Sequence, residues 1–412
     1  MKVVVIGAGL AAMASALMAA EAGHRVTIVT KGIGGLGLST GVLDVYSWAP
    51  DGSPVSDPFD FSSLPPEHPY HAIGADAVRD GVAWLEEHVG LFGARPVGAP
   101  ERNMWIPTPA GAVRPAYAVQ RSMADSVLRD GGQYLVVGFR QFKDFPAQLI
   151  ADNLARSPHV RVTARAVTLD LAARSGEADS NATAFARAFD GRSREVRESG
   201  FYTEFGEQVA SALAAAVRPG EVVLLPAFCG LKHDATAPLR AAIADAGGAG
   251  LAEMMIPPPS VAGRRIYDAL LAQCREARID VHMNATVTAS SGENGRITRL
   301  LVSRAGRETP LEVDAVIDAA GRFESGNIMR NSRKEFRETI FGLPLAVGEN
   351  PWTTGVVVDS AMHPTNELGS PIYANLHLAG DVIAGSAPWA EKSGEGIALG
   401  SARAATNALG KD

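Results

Sequence analysis

The chain is poor in cysteine: its 412 residues hold two, Cys229 and Cys274. They lie far apart with no C-x-x-C spacing, so they supply neither a disulfide scaffold nor a four-ligand metal or iron-sulfur site. Positive charge is in deficit as well. Lys and Arg number 38 against 45 Asp and Glu, a formal net charge of −7, which gives no bulk electrostatic pull toward nucleic acid or anionic lipid. No H-E-x-x-H or P-loop string occurs, which leaves zinc-protease and NTPase chemistry without support. Hydrophobic residues make up 46% and charged residues 20%, too apolar for disorder. The length predicts two or three lobes at ~150 residues each, or one large domain with an insertion.

What is abundant is glycine, 43 residues, about a tenth of the chain against an average of ~7%. Its placement is informative. Val3 to Ala20 carries no charge, close to the ~18 apolar residues of a membrane span. The stretch nevertheless divides in two. Val3-Val4-Val5-Ile6 is β-branched and strand-like, Gly7-Ala8-Gly9 interrupts it, and an Ala/Met/Leu helix runs from Leu10 to Glu21. Gly23 ends that helix and Arg25-Val26-Thr27-Ile28-Val29 reads as a second strand, which completes a βαβ unit. Its turn is G-x-G-x-x-A, formed by Gly7, Gly9 and Ala12. The first glycine permits the tight turn, the second lets backbone approach a phosphate, and the small third residue lets helix and strand pack closely. The phosphate itself is drawn to the free amides and positive dipole end at Leu10.

One part is missing. Dinucleotide units usually close their second strand with an acid that holds the adenosine ribose, and this strand ends in Thr30-Lys31. Either the adenosine is bound differently or the ligand has none, and the second option points to FMN, with FAD as the alternative. A further glycine cluster, Gly32 to Gly41, is interleaved with Ser39 and Thr40 and can lay amides along a ligand; a mobile surface loop is the competing reading.

Residues 50 to 75 are rich in Pro, Ser and Asp and read as a boundary. Beyond them, strand and helix patterns alternate through Tyr134–Val137, Ala147–Ala155, Val160–Val167, Val222–Leu225, Arg265–Arg278 and Val281–Val287, the signature of parallel α/β structure. Near the end, Val313–Ala320 is an apolar strand and Leu376-His377-Leu378-Ala379 a second one that closes in Gly380-Asp381. Gly394 and Gly396 then lead into an Ala-rich helix from Ile397. In a flavin site an acid after such a strand accepts hydrogen bonds from ribityl hydroxyls, and a following helix start stabilises charge at the N1/C2=O edge of the ring. The expected fold is therefore α/β, a discontinuous Rossmann-like flavoprotein domain of the FAD/NAD(P)-binding type, from residues 1–60 and 311–412, with an inserted α/β (α+β) domain over 61–310.

Together the residues resemble the B subunit of anaerobic glycerol-3-phosphate dehydrogenase, over most of the chain. The resemblance is carried by Val5-Ile6-Gly7-Ala8-Gly9-Leu10, Ile28-Val29-Thr30-Lys31-Gly32, Ser39-Thr40-Gly41-Val42-Leu43-Asp44, His68-Pro69-Tyr70 and Asn181-Ala182-Thr183. Pro258-Pro259-Ser260-Val261 with Gly263 and Arg265, and the closing Gly394–Ala405 stretch, carry it further. It implies a flavoprotein subunit, assigned FMN, that works with a catalytic FAD subunit and an iron-sulfur, membrane-associated subunit. That complex oxidises sn-glycerol 3-phosphate to dihydroxyacetone phosphate and passes electrons to quinone. The location so implied is cytoplasmic, at the inner face of the cell membrane through the partner subunits, with no direct span and no nucleic-acid partner. A stand-alone flavin oxidoreductase on another small acid, or an assembly subunit with a vestigial nucleotide fold, are the alternatives.

Within this reading the βαβ turn, Thr30, Lys31, Ser39, Thr40, Gly41, Gly380, Asp381, Gly394, Gly396 and Ile397 are candidate cofactor-binding residues. His68, in the His-Pro-Tyr string, is a candidate acid or base because histidine titrates near neutrality; a histidine making one structural hydrogen bond is the competing reading. Lys392 is a candidate stabiliser of reduced flavin, and Arg265 a candidate substrate ligand. No metal site is expected.

Overall fold

The computed structural model describes residues 1–93, 101–191, 195–348 and 351–410. The chain forms two compact units: residues 1–36, 44–90 and 267–412 make the first, and residues 37–43 and 91–266 the second. These boundaries differ from those expected. Residues 61–90 and 267–310 belong with the chain ends, and 37–43 with the insertion.

The reason lies in the packing of the first unit. Its core is a five-stranded, all-parallel sheet in the order Leu376–Leu378, Ala315–Asp318, β1 (Lys2–Ile6), β2 (Arg25–Thr30), Asp280–Met283. The last of these edges β2, so residues near 280 cannot be part of an insertion. Four consecutive residues of β1 are buried, as suits a central strand covered on both faces. The helix α1 (Leu10–Glu21) is buried from Ala11 to Ala19, where its small side chains allow close approach to the strands. The C-terminal helix, Gly394–Ala408, packs on α1 and on the helix Ala75–Val89. At the second contact, a side chain added to Gly81 would lie 2.5 Å from the Leu399 carbonyl oxygen, which ties residues 75–89 to this unit.

The run Val281–Val287 is not one strand. Asn284 adopts φ 53°, a left-handed conformation that Asn tolerates better than most residues, and breaks the run there. Asp280–Met283 stays in the parallel sheet, and Ala285–Glu293 opens a three-stranded antiparallel meander with Arg296–Arg304 and Arg307–Glu312.

The second unit holds a four-stranded parallel sheet in the order Thr163–Leu169, Gln133–Phe139, Val222–Pro226, Gly250–Met254. Its strand order reverses between Gln133–Phe139 and Val222–Pro226, the place where open α/β sheets hold ligands. Here phenylalanines fill that place. Phe139, Phe142 and Phe185 surround Phe228 with ring centroids 5.3, 5.3 and 4.6 Å away, and all four are buried.

Candidate functional site

The glycine turns that suit a nucleotide lie at the carboxyl edge of the first unit's sheet. Ile6 is in register with Asp318 and with Val29, and Asp318 with Leu378. The loops after these strands therefore emerge side by side, although their sequences lie at opposite ends of the chain. The Gly7 turn is forced by sterics: Gly7 has φ +115°, and a Cβ there would lie 2.3 Å from the Ala319 carbonyl oxygen. Gly9 precedes α1 with no side-chain cap, and the first turn of α1 contains no acid. The initial amides of a helix have no partner within it, and a Cβ on Gly9 would meet nothing within 4 Å. An uncapped, open, acid-free helix start fits a phosphate group.

The loop after β2 lies directly against this turn. Gly34 has φ +66°, and a Cβ there would stand 2.4 Å from the Gly9 nitrogen and 2.5 Å from the Ala8 carbonyl carbon. Thr30 starts that loop by donating its hydroxyl to the Gly32 carbonyl at 2.7 Å, and Lys31 is exposed. Opposite, the Gly380 amide donates to Ser401 Oγ at 2.8 Å, which couples the Gly380-Asp381 turn to the C-terminal helix. The Asp381 carboxylate keeps 45% of its side-chain exposure, with an ion pair to Arg322 at 3.6 Å. An acid held at this edge and still open to solvent suits a polyol chain.

The start of the C-terminal helix is fixed by a buried network. Tyr70 donates its hydroxyl to the carbonyls of Val45 and, at 3.1 Å, Ser393. A Cβ on Gly396 would fall within 3.0 Å of the Val45 Cα and against the Tyr70 hydroxyl, so this glycine makes room for Tyr70. Ile397 is buried, and its carbonyl accepts the Ser401 hydroxyl at 2.5 Å. Gly394 opens the helix and Lys392, at φ 53°, ends the short helix before it.

His68 belongs to the same network. Its Nδ1 accepts the Tyr70 amide at 3.2 Å and its Nε2 faces Glu391 Oε2 at 3.1 Å. Both ring nitrogens are thus engaged in a side chain that is 1% exposed, which supports a structural part over acid-base work. Burial raises the Glu391 carboxyl, but His68, the Ala387 amide and the Ser393 hydroxyl outweigh it and hold the group below its usual range.

Ser39, Thr40, Gly41 and Arg265 lie in the second unit. Gln120 Nε2 donates to the carbonyls of Gly41 and Ala262, at 3.1 and 2.9 Å, and the Ser260 amide donates to the Gly37 carbonyl at 2.9 Å. The S-T-G-x-L-D and P-P-S-V-x-G-x-R strings are therefore packed together. Arg265 departs from its expected place on a substrate. Its guanidinium forks onto Glu253 at 2.5 and 2.9 Å and donates to the Gly230 carbonyl at 2.8 Å, and the same carboxylate accepts the Cys229 amide at 2.6 Å. Burial opposes ionisation of Glu253, and Arg265 overcomes it, leaving the carboxyl below its usual range.

Two residues of this edge carry no motif that singles them out, Arg322 and Asp318. The one available signal is position: Asp318 is a charge inside the apolar stretch Val313–Ala320, and Arg322 follows just beyond it.

The arrangement in the first unit defines a dinucleotide-binding α/β protein with a flavin-type site. Its relatives narrow this. The B subunit of a probable anaerobic glycerol-3-phosphate dehydrogenase of Halobacterium salinarum is 30% identical over 99% of this chain and 97% of its own. The B subunit of the anaerobic glycerol-3-phosphate dehydrogenase of Pectobacterium atrosepticum is 29% identical over 97% and 96%. The chain belongs to the FAD binding domain family, whose family model matches residues 2–397, and within it to the family of anaerobic glycerol-3-phosphate dehydrogenase B subunits. Among solved structures, the open conformation of a flavocytochrome c3 fumarate reductase is similar over 100% of this chain and 78% of its own, with 11% identity and a TM-score of 0.45.

The family description names FAD, so the preference for FMN drawn from Thr30-Lys31 finds no support in it. A missing acid removes one hydrogen bond to a ribose; it does not remove the place where the ribose lies. Among the described residues no helix is long and apolar enough to cross a membrane, and no group of three or more His, Cys, Asp or Glu is placed to hold a metal ion.

Proposed function

We propose that this chain is the FAD-bearing B subunit of a complex that oxidises sn-glycerol 3-phosphate to dihydroxyacetone phosphate and sends the electrons toward quinone. The observation that carries the reading is the convergence of the uncapped α1 start and the Gly380-Asp381 turn at one edge of one parallel sheet. The amides at Leu10 would bind the pyrophosphate, Asp381 would accept the ribityl hydroxyls, and the helix start at Gly394, with Lys392 before it, would stabilise charge on the reduced ring. When bound, the flavin supplies the site that takes up substrate electrons. The protein would fix its position. Both cysteines are buried, and burial raises both thiols, so any iron-sulfur step belongs to a partner subunit, which also provides attachment to the inner face of the membrane.

The test is to purify the chain from a flavin-replete host, release the flavin and identify it by chromatography. Then sn-glycerol 3-phosphate is added with and without the partner subunits. FAD in the extract, with bleaching that needs the partners, supports the reading. Colourless protein refutes it, FMN in the extract refutes the cofactor, and turnover by the isolated chain with an artificial acceptor replaces the complex by a self-sufficient enzyme.

A further inference from the structure

Arg322 is the largest fully buried side chain of the described residues, 1% exposed. Little of its bonding goes to acids. Nε donates to the Asp381 carbonyl at 2.5 Å, Nη2 to the Ile383 carbonyl at 2.7 Å and to Ser386 Oγ at 3.5 Å, and Nη1 to the Trp352 carbonyl. One carboxylate, that of Asp381, stands 3.6 Å from Nη2. The guanidinium therefore spans the turn that begins at Gly380, the segment that follows it as far as Ser386, and the stretch carrying Trp352. Phe323 and Trp389 add ring contacts to Trp352, with centroids 5.4 and 5.5 Å away. Trp389 lies in the short helix Pro388–Glu391, just before the start of the C-terminal helix.

A planar fork with five donors can hold several carbonyls at fixed angles, which an ammonium cannot do. Without it, the carbonyls of Asp381, Ile383 and Trp352 lose this donor, that of Ile383 in a buried position, and the segment relaxes to find others. We propose that Arg322 is the positioning residue for Asp381: it holds the Gly380–Ser386 segment in the conformation that presents the Asp381 carboxylate to the ribityl chain of the flavin. This rests on the reading that Asp381 contacts the flavin. Arg322 acts through the main chain at and after Asp381.

The experiment is a double-variant cycle on flavin-free protein reconstituted with FAD, using Arg322→Lys, Arg322→Gln, Asp381→Asn and the combination of Arg322→Lys with Asp381→Asn. Dissociation constants come from quenching of FAD fluorescence, the potential of the bound flavin from dye equilibration, and folding of the flavin-free proteins from circular dichroism. Each single variant is expected to weaken FAD binding at least tenfold, and the combination to be within twofold of the weaker single variant, because both changes remove the same contact. The potential should move in the same direction in Arg322→Lys and Asp381→Asn, a response that loss of packing alone does not give. Losses that multiply, FAD binding within twofold of wild type, potentials that move in opposite directions or not at all, or failure of both Arg322 variants to fold would each overturn the proposal. A wild-type chain that binds no FAD fails the proposed function instead, and an Asp381→Asn variant that binds FAD as wild type fails the ribityl assignment.

Discussion

Asp318 offers a sharp quantitative test, because its protonation in the folded chain is set by the tertiary structure. It ends its strand fully buried, with the Ala320 amide donating to Oδ1 at 3.0 Å and Asn327 Nδ2 donating to Oδ2 at 3.3 Å. Burial first, and the nearby Glu338 second, raise its pKa from 3.8 to about 7 against those two hydrogen bonds. Glu338 itself is buried and accepts the amides of Ile340, Phe341 and Leu343. Between about pH 4 and pH 7 the folded chain keeps the Asp318 proton that the unfolded chain has released, so stability from this group is complete below pH 4 and lost as pH rises through 7. At 1.36 kcal/mol per tenfold step, the full span is about 4 kcal/mol, of which about 3 kcal/mol falls between pH 5 and pH 8. The Asp318→Asn variant has no proton to lose. Urea unfolding of the flavin-free proteins at pH 5 and pH 8 should show wild type losing about 3 kcal/mol more than the variant over that interval. Parallel losses in the two proteins would refute the buried-acid argument, and a variant losing more than wild type would reverse its sign.

Three other substitutions separate the parts played by individual residues. Gly34→Ala places a methyl against the Gly9 nitrogen at a left-handed φ, where strain alone costs about 1–2 kcal/mol; the protein should elute from gel filtration with less flavin per chain than wild type, and full occupancy would show the loop free to move aside. Arg265→Ala leaves Glu253 buried without its cation and should cost about 3–5 kcal/mol in urea unfolding. If instead it left stability intact and raised KM for sn-glycerol 3-phosphate in the assembled complex, Arg265 would be a substrate ligand after all. His68→Ala removes the partner of Glu391 and the acceptor of the Tyr70 amide, an expected loss of about 2–3 kcal/mol, while the pH profile of the assembled complex keeps its shape. A lost ionisation in that profile would return His68 to acid-base chemistry.

The βαβ unit was legible because it is local: Val3–Ile6, Gly7–Gly9, Leu10–Glu21 and Arg25–Thr30 follow one another and each obeys its own period. The Gly380-Asp381 turn was legible for a similar reason, as a short apolar strand ended by glycine and an acid. The unit boundaries were not. The sequence offers no signal that Gly81 leaves space for Leu399 or that Asp280–Met283 edges β2, since such contacts cross hundreds of residues and leave no periodicity. His68 shows the same limit, being 323 residues from the Glu391 that binds it. A histidine in a distinctive string looks the same whether it is free to exchange protons or locked at both nitrogens.

By itself the sequence determined the kind of site. Strand, glycine turn and helix in succession create an anion-binding helix start wherever they fold, and two isolated cysteines leave this chain without the ligands of an iron-sulfur cluster. The tertiary structure decided which charged residues remain available to a ligand. Burial and pairing consume Arg265, His68, Glu253 and Arg322 in holding backbone and each other, while Asp381 stays half-exposed at the carboxyl edge of the sheet. The physical reason is that a charge is committed by its neighbours in space, through desolvation and hydrogen bonding, and those neighbours come from segments that local sequence patterns cannot bring together.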